Sequence, residues 1–583
     1  MAEERGTVFH VGPLFARVTG LESVFVGERV LLGPGVPGVV MDLEEQSVSV
    51  ALLGASTELR EGSHARRTER PLDFPCGPGL LGRVVTAIGE PLDGLGPINA
   101  STLRPLHSSC PSIAARQPSR EWLHSGTLAI DAFMPIPRGA ACVIAGDRST
   151  GKTSLAAGLV LAQASEDVRC IYVAIGQSAA ATRAIVTRFR EAGVLQRTTV
   201  VLADESSPVA MRTLAPEAGL TLADFWAREL GHATLVVWDD LNQHAAALGQ
   251  LALERGRGSA LGAFPLNVTV EQARLMDRAC RLRDRWIICR RSAPPGEKRG
   301  LDGRVYGGGN GREIAELIIS GFDPKRFAVR QLERDSVPPH QIGKFGIVRR
   351  DPTGEVLLVV DERASAEEAF FGRADREDVE VRRLEPSGGS VTAVAVIESR
   401  PNELSAQLAA ELRSRADRVI ALERALFEKG RRPAVRLPGP PVTGLPTGPV
   451  GRAVGLWKTI AVSLAWLEGG EFDVLEQAER AGVPLDNRDR RELASVRRLV
   501  AAMEQPALMP RSFEEEVLLL TALRLPAIER VALGDITQFG RALVGYFREH
   551  RPDLIASLRE RRVRDDRGTV DAEIERFAIN WTV

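Results

Sequence analysis

Hydrophobic and polar positions change their spacing several times along this chain of 583 residues. Between residue 6 and about residue 76, short alternating or β-branched runs are separated by turns rich in glycine, proline and glutamate, as in GTVFHV, RVLLG, GVVMDL and SVSVALLG. Short strands at close intervals are typical of small closed sheets. The pattern predicts an N-terminal β-barrel over residues 1–78.

Longer apolar runs follow, and they alternate with stretches that are compatible with helices. The apolar runs cover residues 141–145, 170–176, 198–204 and 234–240, and helices are expected around 154–164, 220–230 and 274–283. Continuous apolar strands spaced by helices indicate a buried parallel sheet. We therefore predict an α/β domain over residues 79–286 and 387–456.

The pattern becomes helical after about residue 457. Apolar residues such as Trp466, Leu475, Leu499 and Phe547 recur in long segments rich in arginine and glutamate. This spacing favours a C-terminal helical bundle over residues 457–583, in which the apolar side chains form the core. The chain is thus expected to be a multidomain α/β protein.

Composition excludes several classes of protein. Charged residues make up 26% of the chain and the net charge is −1, so a strongly basic nucleic-acid binder is not expected. The N-terminus lacks a basic region followed by an apolar core, and no run of about 18 apolar residues occurs, which predicts a soluble cytoplasmic protein. The six cysteines include no C-x-x-C pair, which favours buried free thiols.

The segment GDRSTGKTS lies between the apolar run 141–145 and a helix-compatible run. It matches the Walker A pattern, whose glycines let backbone N–H groups surround phosphates while the lysine neutralises charge. A glycine turn that precedes a helix by chance is the alternative, but the strand and helix on either side favour a nucleotide site. The predicted binding residues are Gly146, Asp147, Arg148, Ser149, Thr150, Gly151, Lys152, Thr153 and Ser154.

The segment LVVWDDL resembles a Walker B strand, in which four apolar residues precede Asp239. Such a strand carries a carboxylate to the carboxyl edge of the sheet, where it can hold a hydrated Mg²⁺ ion. Two aspartates at a strand end can also be solvated charges. The position of Asp239 in a βαβ series that follows the Walker A lysine favours the metal site, with Thr153 as the second ligand.

In their order along the chain, these blocks resemble the alpha subunits of F-type ATP synthases. The resemblance rests on GLLGRVVTAIGEPLDGLGPI, SGTLAIDAFMPIPRG, GDRSTGKTS, CIYVAIGQ, VVWDDLNQHA, VTAVAVIES, LFEKGRRPAV and FEEEVLLL. It covers nearly all of the chain except about 287–386. It implies a RecA-like central domain that binds ATP or ADP with Mg²⁺. It also implies an alternating hexamer with catalytic beta subunits around a gamma rotor, peripheral on the inner face of the cell membrane. The coupled membrane sector would transport protons or sodium ions.

Gln177 distinguishes alpha from beta within this resemblance. The family has a glutamate at this strand end in the catalytic subunit and a glutamine in alpha. An amide cannot take up a proton near neutral pH, so the general-base contribution of about 10²- to 10⁴-fold is lost. Gln177 as an ordinary polar residue at a strand end is the alternative. The resemblance also places Arg432 and Pro433 beside the adenine.

The chain departs from the family in two places that bear on catalysis and assembly. The family's arginine finger, worth roughly 10³ to 10⁵ in rate, falls on Pro449 in a lengthened loop. Arg452 is the candidate substitute, and a surface arginine that faces solvent is the alternative, which the sequence favours. The N-terminal extension that docks the delta subunit is missing, which leaves the attachment of the peripheral stalk open. The NQHA segment is closer to the alternative N-type bacterial synthases, which lack delta.

An additional segment occupies residues 287–386. Its strand-like runs FAVRQLE, KFGIVRR, EVLLVVDE and VEVRRLE predict a small β-rich subdomain, and its GGGNG run is expected to be a turn rather than a second phosphate loop. The segment joins a helix to a strand, and such connections lie at the edge of the sheet opposite the phosphates.

Three functional hypotheses follow from these observations. The first is an alpha-type, largely non-catalytic subunit of a rotary ATP synthase. The second is a nucleotide-binding scaffold or regulator derived from such a subunit, which the proline at the finger position and the large insert motivate. The third is a homohexameric export or helicase-type ATPase, which would need a glutamate in place of Gln177.

Overall fold

The computed structural model describes residues 4–119, 121–254, 266–284, 286–290, 348–350, 356–360, 379–383, 387–399, 404–437, 450, 471–559 and 567–581. The finger-loop residues Pro449 and Arg452, the GGGNG run and the FAVRQLE run lie outside these residues.

The N-terminal segment forms a closed antiparallel barrel, as predicted. Its strands are β1 (Arg5–Val11), β2 (Phe15–Thr19), β3 (Glu28–Leu32), β4 (Val36–Leu43), β5 (Val48–Leu52) and β6 (His64–Pro71), in the order β1-β2-β5-β4-β3-β6. Alternate residues point inward because side chains on a strand alternate between its two faces. Val8, Val18, Val30 and Val50 are among the side chains that fill the interior.

The remaining strands follow in chain order. They are β7 (Asp73–Cys76), β8 (Val84–Val85), β9 (Thr102–Pro105), β10 (Trp122–Leu123), β11 (Ile136–Pro137), β12 (Ala141–Gly146), β13 (Val168–Ile175), β14 (Thr198–Ala203), β15 (Ala233–Asp239), β16 (Cys280–Arg281), β17 (Trp286–Arg290), β18 (Val348–Arg350), β19 (Val356–Val360), β20 (Val379–Arg383), β21 (Ser390–Glu398) and β22 (Arg418–Leu422).

The central sheet has the strand order β22-β12-β21-β15-β13-β14-β8, and every neighbouring pair in this order is parallel. Strands β12, β13 and β15 are almost wholly buried, which explains their continuous apolar runs. Because the strands are parallel, the carboxyl ends of β12, β13 and β15 lie at one edge of the sheet.

The helices of the central domain are α1 (Leu128–Phe133), α2 (Lys152–Leu161), α3 (Ala179–Glu191), α4 (Val209–Asp224), α5 (Leu241–Glu254), α6 (Leu266–Asp277), α7 (Leu404–Arg415) and α8 (Arg424–Glu428). The predicted helix at 220–230 begins earlier, at Val209, and continues after Asp224 as a π-helical turn over Phe225–Glu229. Pro216 lies inside this helix, where a proline usually argues against one.

The helix predicted over 274–283 is wrong at its C-terminal end. Helix α6 ends at Asp277, and Cys280 and Arg281 instead pair antiparallel with Val391 and Ser390 of β21. Pairing with the sheet supplies backbone hydrogen bonds that a longer helix would have made locally. The segment just before the insert therefore pairs with the first residues of β21. These residues lie at the edge of the sheet opposite the phosphate loop, as predicted.

The described strands near and within the insert, β17 to β20, form an antiparallel sheet in the order β18-β19-β17-β20. Strands β18, β19 and β20 fall in three of the four predicted strand-like runs. The prediction of β structure is confirmed for these runs.

The C-terminal part is helical, as predicted, with α9 (Glu471–Arg480), α10 (Asn487–Met503), α11 (Phe513–Ala522), α12 (Ile536–His550), α13 (Pro552–Arg559) and α14 (Arg567–Ile579). The Ser512 hydroxyl caps α11 by accepting from the N–H of Glu515 at 3.3 Å. Leu128 and Phe133 of α1 pack into the same core as Leu518 and Phe547. Helix α1 thus joins the central domain to the helical one.

Four of the cysteines, Cys76, Cys142, Cys170 and Cys280, are buried free thiols, as predicted, whereas Cys110 is exposed. Within the described ranges, no helix combines the length and the apolar character needed to cross a bilayer.

Candidate nucleotide site

The loop after β12 adopts a conformation that only particular residues permit. Gly151 precedes α2 with a φ of 95°, and Ser149 also has a positive φ, 63°. Glycine reaches this left-handed region without steric cost. A Cβ at Gly146 would lie 2.7 Å from the carbonyl oxygen of Leu422, so β22 packs directly on the start of the loop. The loop therefore bends tightly between the strand and the N-terminus of α2, where free N–H groups favour anions.

Lys152 is the first residue of α2 and is only 8% exposed. Its Nζ donates to the carbonyl oxygen of Asp147 at 2.6 Å, and the Thr150 hydroxyl donates to the same oxygen at 2.8 Å. Burial lowers the pKa of Lys152, while the nearby carboxylates of Glu398 and Asp240 oppose that shift. The ammonium group is thus held inside the loop, on the side where phosphates are expected.

Asp239 ends β15 and is 1% exposed. Its Oδ1 accepts from the Thr153 hydroxyl at 3.2 Å, and its Oδ2 accepts from the Tyr172 hydroxyl at 2.6 Å. Burial raises the pKa of the Asp239 carboxyl, and burial together with Asp239 raises the pKa of Tyr172 well above its usual value. The structure brings together the two predicted metal ligands, Thr153 and Asp239, through adjacent strands and the first turn of α2.

Gln177 lies just after β13, next to Asp239. Its Nε2 donates to the Asp239 carbonyl oxygen at 3.1 Å. Gly176 permits the turn with a φ of 63°, and a Cβ there would meet the Gln243 side chain at 2.9 Å. The predicted strand-end amide therefore sits within the site and is held by a backbone contact to the Walker B strand.

A cavity of about 340 Å³ extends from the phosphate loop toward the C-terminal helices. Gly151, Ser154, Arg432 and Pro433 line one side, and residues 505–510 line the other. The guanidinium carbon of Arg432 lies 3.4 Å from the centre of the Phe427 ring, and its Nη1 donates to the Phe427 carbonyl oxygen at 2.6 Å. The two residues that the resemblance places beside the adenine are thus next to the phosphate loop.

Gln505, in the wall of this cavity, forms hydrogen bonds with residues of the central domain. Its N–H donates to the Arg432 carbonyl oxygen at 2.8 Å, and its Nε2 donates to the Gly126 carbonyl oxygen at 2.7 Å. Its Oε1 is buried and has no hydrogen-bond donor among the described residues. The Gln505 side chain therefore holds the cavity wall in place through its amide nitrogen, while its buried oxygen is not exposed to the cavity.

Comparison with known proteins agrees with this geometry. The nucleotide-binding domain of the ATP synthase alpha/beta family matches residues 126–290, and the C-terminal domain of the ATP synthase alpha/beta chain matches residues 458–577. The chain is also 30% identical over 566 residues to the ATP synthase subunit alpha of Aquifex aeolicus (strain VF5), over 97% of this chain and 91% of that relative. The chain belongs to the family of ATP synthase alpha subunits.

As a member of the ATP synthase alpha family, the chain has the predicted barrel, nucleotide-binding domain and helical domain. Two further residues contribute to the site without having been predicted: Tyr172, which donates to the Walker B carboxylate, and Gln505, which lies in the cavity wall. Tyr172 lies within the continuous buried run of β13 and resembles a core residue in the sequence. Gln505 lies more than 350 residues after Lys152 along the chain and follows no motif, so no local signal indicates its role.

Proposed function

We propose that this alpha-family chain binds ATP or ADP with Mg²⁺ and turns it over slowly or not at all. It would do so in a ring where it alternates with catalytic beta subunits around a gamma rotor. In this assembly the chain forms one wall of each catalytic interface. The complex would lie on the inner face of the cell membrane and couple ATP chemistry to proton or sodium transport through a separate membrane sector.

The amide of Gln177 is the observation that carries this proposal. It occupies the strand end beside Asp239, where a carboxylate would be needed to accept a proton from attacking water. An amide can orient water through hydrogen bonds but cannot take up that proton. The same observation disfavours a homohexameric export or helicase-type ATPase.

The loop residues are suited to gripping a triphosphate. Backbone N–H groups at the start of α2 and the ammonium group of Lys152 would bind phosphate oxygens, with Gly146, Asp147, Arg148, Ser149, Thr150, Gly151 and Ser154 forming the cradle. The hydroxyl of Thr153 and the carboxylate of Asp239, 3.2 Å apart, are the hard oxygen donors that Mg²⁺ prefers. These residues fit the ion, which when bound would neutralise phosphate charge.

The cavity beyond the loop fits the base. The Pro433 ring and the apolar residues 506–510 would pack on the faces of an adenine. The guanidinium of Arg432, which stacks on the Phe427 ring, would contribute to binding the base.

Gln177→Glu provides a direct prediction. With a carboxylate at this position, we expect the purified chain to hydrolyse MgATP faster than wild type by about 10²-fold, the lower end of general-base contributions. Gln177→Asn is the matched control, because it keeps an amide and should gain nothing. Release of inorganic phosphate from radiolabelled ATP measures both. Equal rates for the wild type and the glutamate variant would show that the missing base does not limit turnover.

Assembly with a catalytic beta subunit distinguishes the synthase-subunit hypothesis from the regulator hypothesis. We expect the chain to form a complex with its cognate beta and gamma subunits, and the complex to hydrolyse MgATP when the chain alone does not. If Arg452 replaces the family's arginine finger, Arg452→Ala should lower turnover of the complex by about 10³-fold or more. Size-exclusion chromatography and steady-state phosphate release measure assembly and turnover.

A nucleotide-binding scaffold or regulator is the second candidate function. Two features favour it: Pro449 stands where the family has the arginine that stabilises the transferring phosphate, and residues 287–386 are additional to the blocks that resemble the family. Failure of the chain to assemble with beta, combined with tight MgATP binding, would support the regulator and exclude the synthase subunit.

A further inference from the structure

A group of side chains that can bind a metal ion lies apart from the nucleotide site, at the junction of the central and helical domains. His124 follows β10, Asp131 belongs to α1 and Glu516 belongs to α11. The Nε2 of His124 lies 3.6 Å from Oδ2 of Asp131 and 3.5 Å from Oε2 of Glu516. One ligand atom from each residue lies within 4.8 Å of the other two.

The three side chains are shielded from solvent but do not satisfy one another. Their exposed fractions are 13%, 5% and 0% for His124, Asp131 and Glu516. Neither carboxylate oxygen of Glu516, nor the Nε2 of His124, meets a hydrogen-bond partner of good geometry in the described part of the chain. Burying two carboxylates beside a single imidazole is costly unless further positive charge is present, so the cluster favours a bound cation.

The two distances from the His124 nitrogen match a tetrahedral metal site. Zn²⁺ binds imidazole nitrogen and carboxylate oxygen at about 2.0–2.2 Å, which places two ligand atoms of a tetrahedron about 3.3–3.6 Å apart. The two distances from Nε2 are therefore close to those of a ligated set. The Asp131 carboxylate is oriented by the N–H groups of Ser125 and Gly126, at 2.9 to 3.1 Å, as second-layer hydrogen bonds orient metal ligands.

A cavity of about 400 Å³ borders the cluster, and His124 and Asp131 lie in its wall. It has room for water to serve as a fourth ligand. One nitrogen and two oxygen donors suit a first-row divalent ion such as Zn²⁺ better than Mg²⁺, which prefers oxygen ligands alone.

We propose that His124, Asp131 and Glu516 bind a divalent transition-metal ion, Zn²⁺ in the first instance, which clamps the C-terminal helices to the nucleotide-binding domain. Two ligands come from the start of the central domain and the third from α11, so the ion would cross-link segments that are far apart in sequence. This site is independent of the proposed nucleotide function.

The test uses the full chain, stripped of metal with a chelator and held in excess Mg²⁺ and ADP so that the nucleotide site is occupied. Calorimetric titration with Zn²⁺ should show one equivalent bound per chain. Titration with Co²⁺ should produce the intense visible absorption of a tetrahedral site. Zn²⁺ should also raise the melting temperature, since an ion that binds only the folded state stabilises it.

Two variants remove ligands while keeping side-chain size similar. His124→Gln and Glu516→Gln should each weaken Zn²⁺ binding by about 100-fold or more and abolish the Co²⁺ absorption. Glu514→Gln is the matched control on the same helix, because Glu514 lines the same cavity but pairs with Arg559. It should bind Zn²⁺ as the wild type does.

Unchanged Zn²⁺ affinity in both ligand variants would overturn the proposal, as would a wild-type chain that takes up no Zn²⁺ or gives only octahedral Co²⁺ absorption. In the last two cases the three side chains form an ion-paired cluster that holds no tetrahedral metal ion. Circular dichroism and ADP binding check that the variants fold, and the wild-type Co²⁺ spectrum decides the question even if they do not.

Discussion

Lys152→Ala is expected to reduce the affinity of this chain for MgATP by more than about 100-fold. A hydrogen bond to a charged group contributes about 1.5–3 kcal/mol, and 1.4 kcal/mol corresponds to a factor of ten in affinity. Lys152 would make more than one such contact if it reaches both the β- and γ-phosphates. Isothermal titration with MgATP measures the loss, and thermal melting checks that the variant is folded.

The matched control is Lys429→Ala, which removes the other lysine in the described ranges. Its Nζ pairs with the Asp473 carboxylate at 2.9 Å on an exposed surface, so its removal should change MgATP affinity by less than about threefold. Tight MgATP binding by a folded Lys152→Ala chain would show that the nucleotide binds in another pocket.

Asp239→Asn is expected to weaken the binding of Mg²⁺ at the nucleotide site. The amide keeps the shape of the carboxylate but loses the negative charge that Mg²⁺ favours. We expect the apparent Mg²⁺ affinity in the presence of ATP to fall by more than about tenfold, while affinity for metal-free ATP is retained. Titrations with and without EDTA measure the difference.

Asp240→Asn is the control for this variant. Asp240 is the adjacent carboxyl, whose pKa burial raises to about 6, and its Oδ1 accepts from the N–H of Gln243 at 2.9 Å rather than from Thr153. Asp240→Asn should lower the apparent Mg²⁺ affinity much less than Asp239→Asn does. An equal loss in both variants would mean that general negative charge, and not the pair of Thr153 and Asp239, holds the ion.

The pH dependence in the wild type follows from the direction of the Asp239 shift. Burial raises its pKa, and only the deprotonated carboxyl can bind Mg²⁺, so Mg²⁺ affinity should weaken as pH falls toward that raised pKa. Because Asp239→Asn has no such carboxyl, the part of the pH dependence that Asp239 causes should disappear in that variant.

The sequence predicted those parts of the fold and the site that depend on local patterns. Gly151 and Lys152 stand at fixed spacing between a buried strand and a helix, and the loop forms there for steric reasons that any Walker A sequence shares. Asp239 was found because the apolar run before it had to be a buried strand of the same sheet. The short strands of the barrel could also be predicted from their close spacing along the chain.

Contacts between distant segments were not predictable. Gln505 reaches the cavity because a loop of the helical domain folds back onto Arg432, and His124 meets Glu516 because α1 packs into the C-terminal core. Neither contact has a motif. The end of α6 was mispredicted for the same reason, since Cys280 pairs with a strand more than 100 residues later.

We propose that the pocket binds a triphosphate without cleaving it. The most direct test is to load the purified chain with radiolabelled MgATP, remove free nucleotide, and follow the chemical identity of what remains bound. We predict about one nucleotide per chain that persists as ATP for many minutes. Rapid conversion to ADP by the chain alone, or no nucleotide bound at all, would contradict the account.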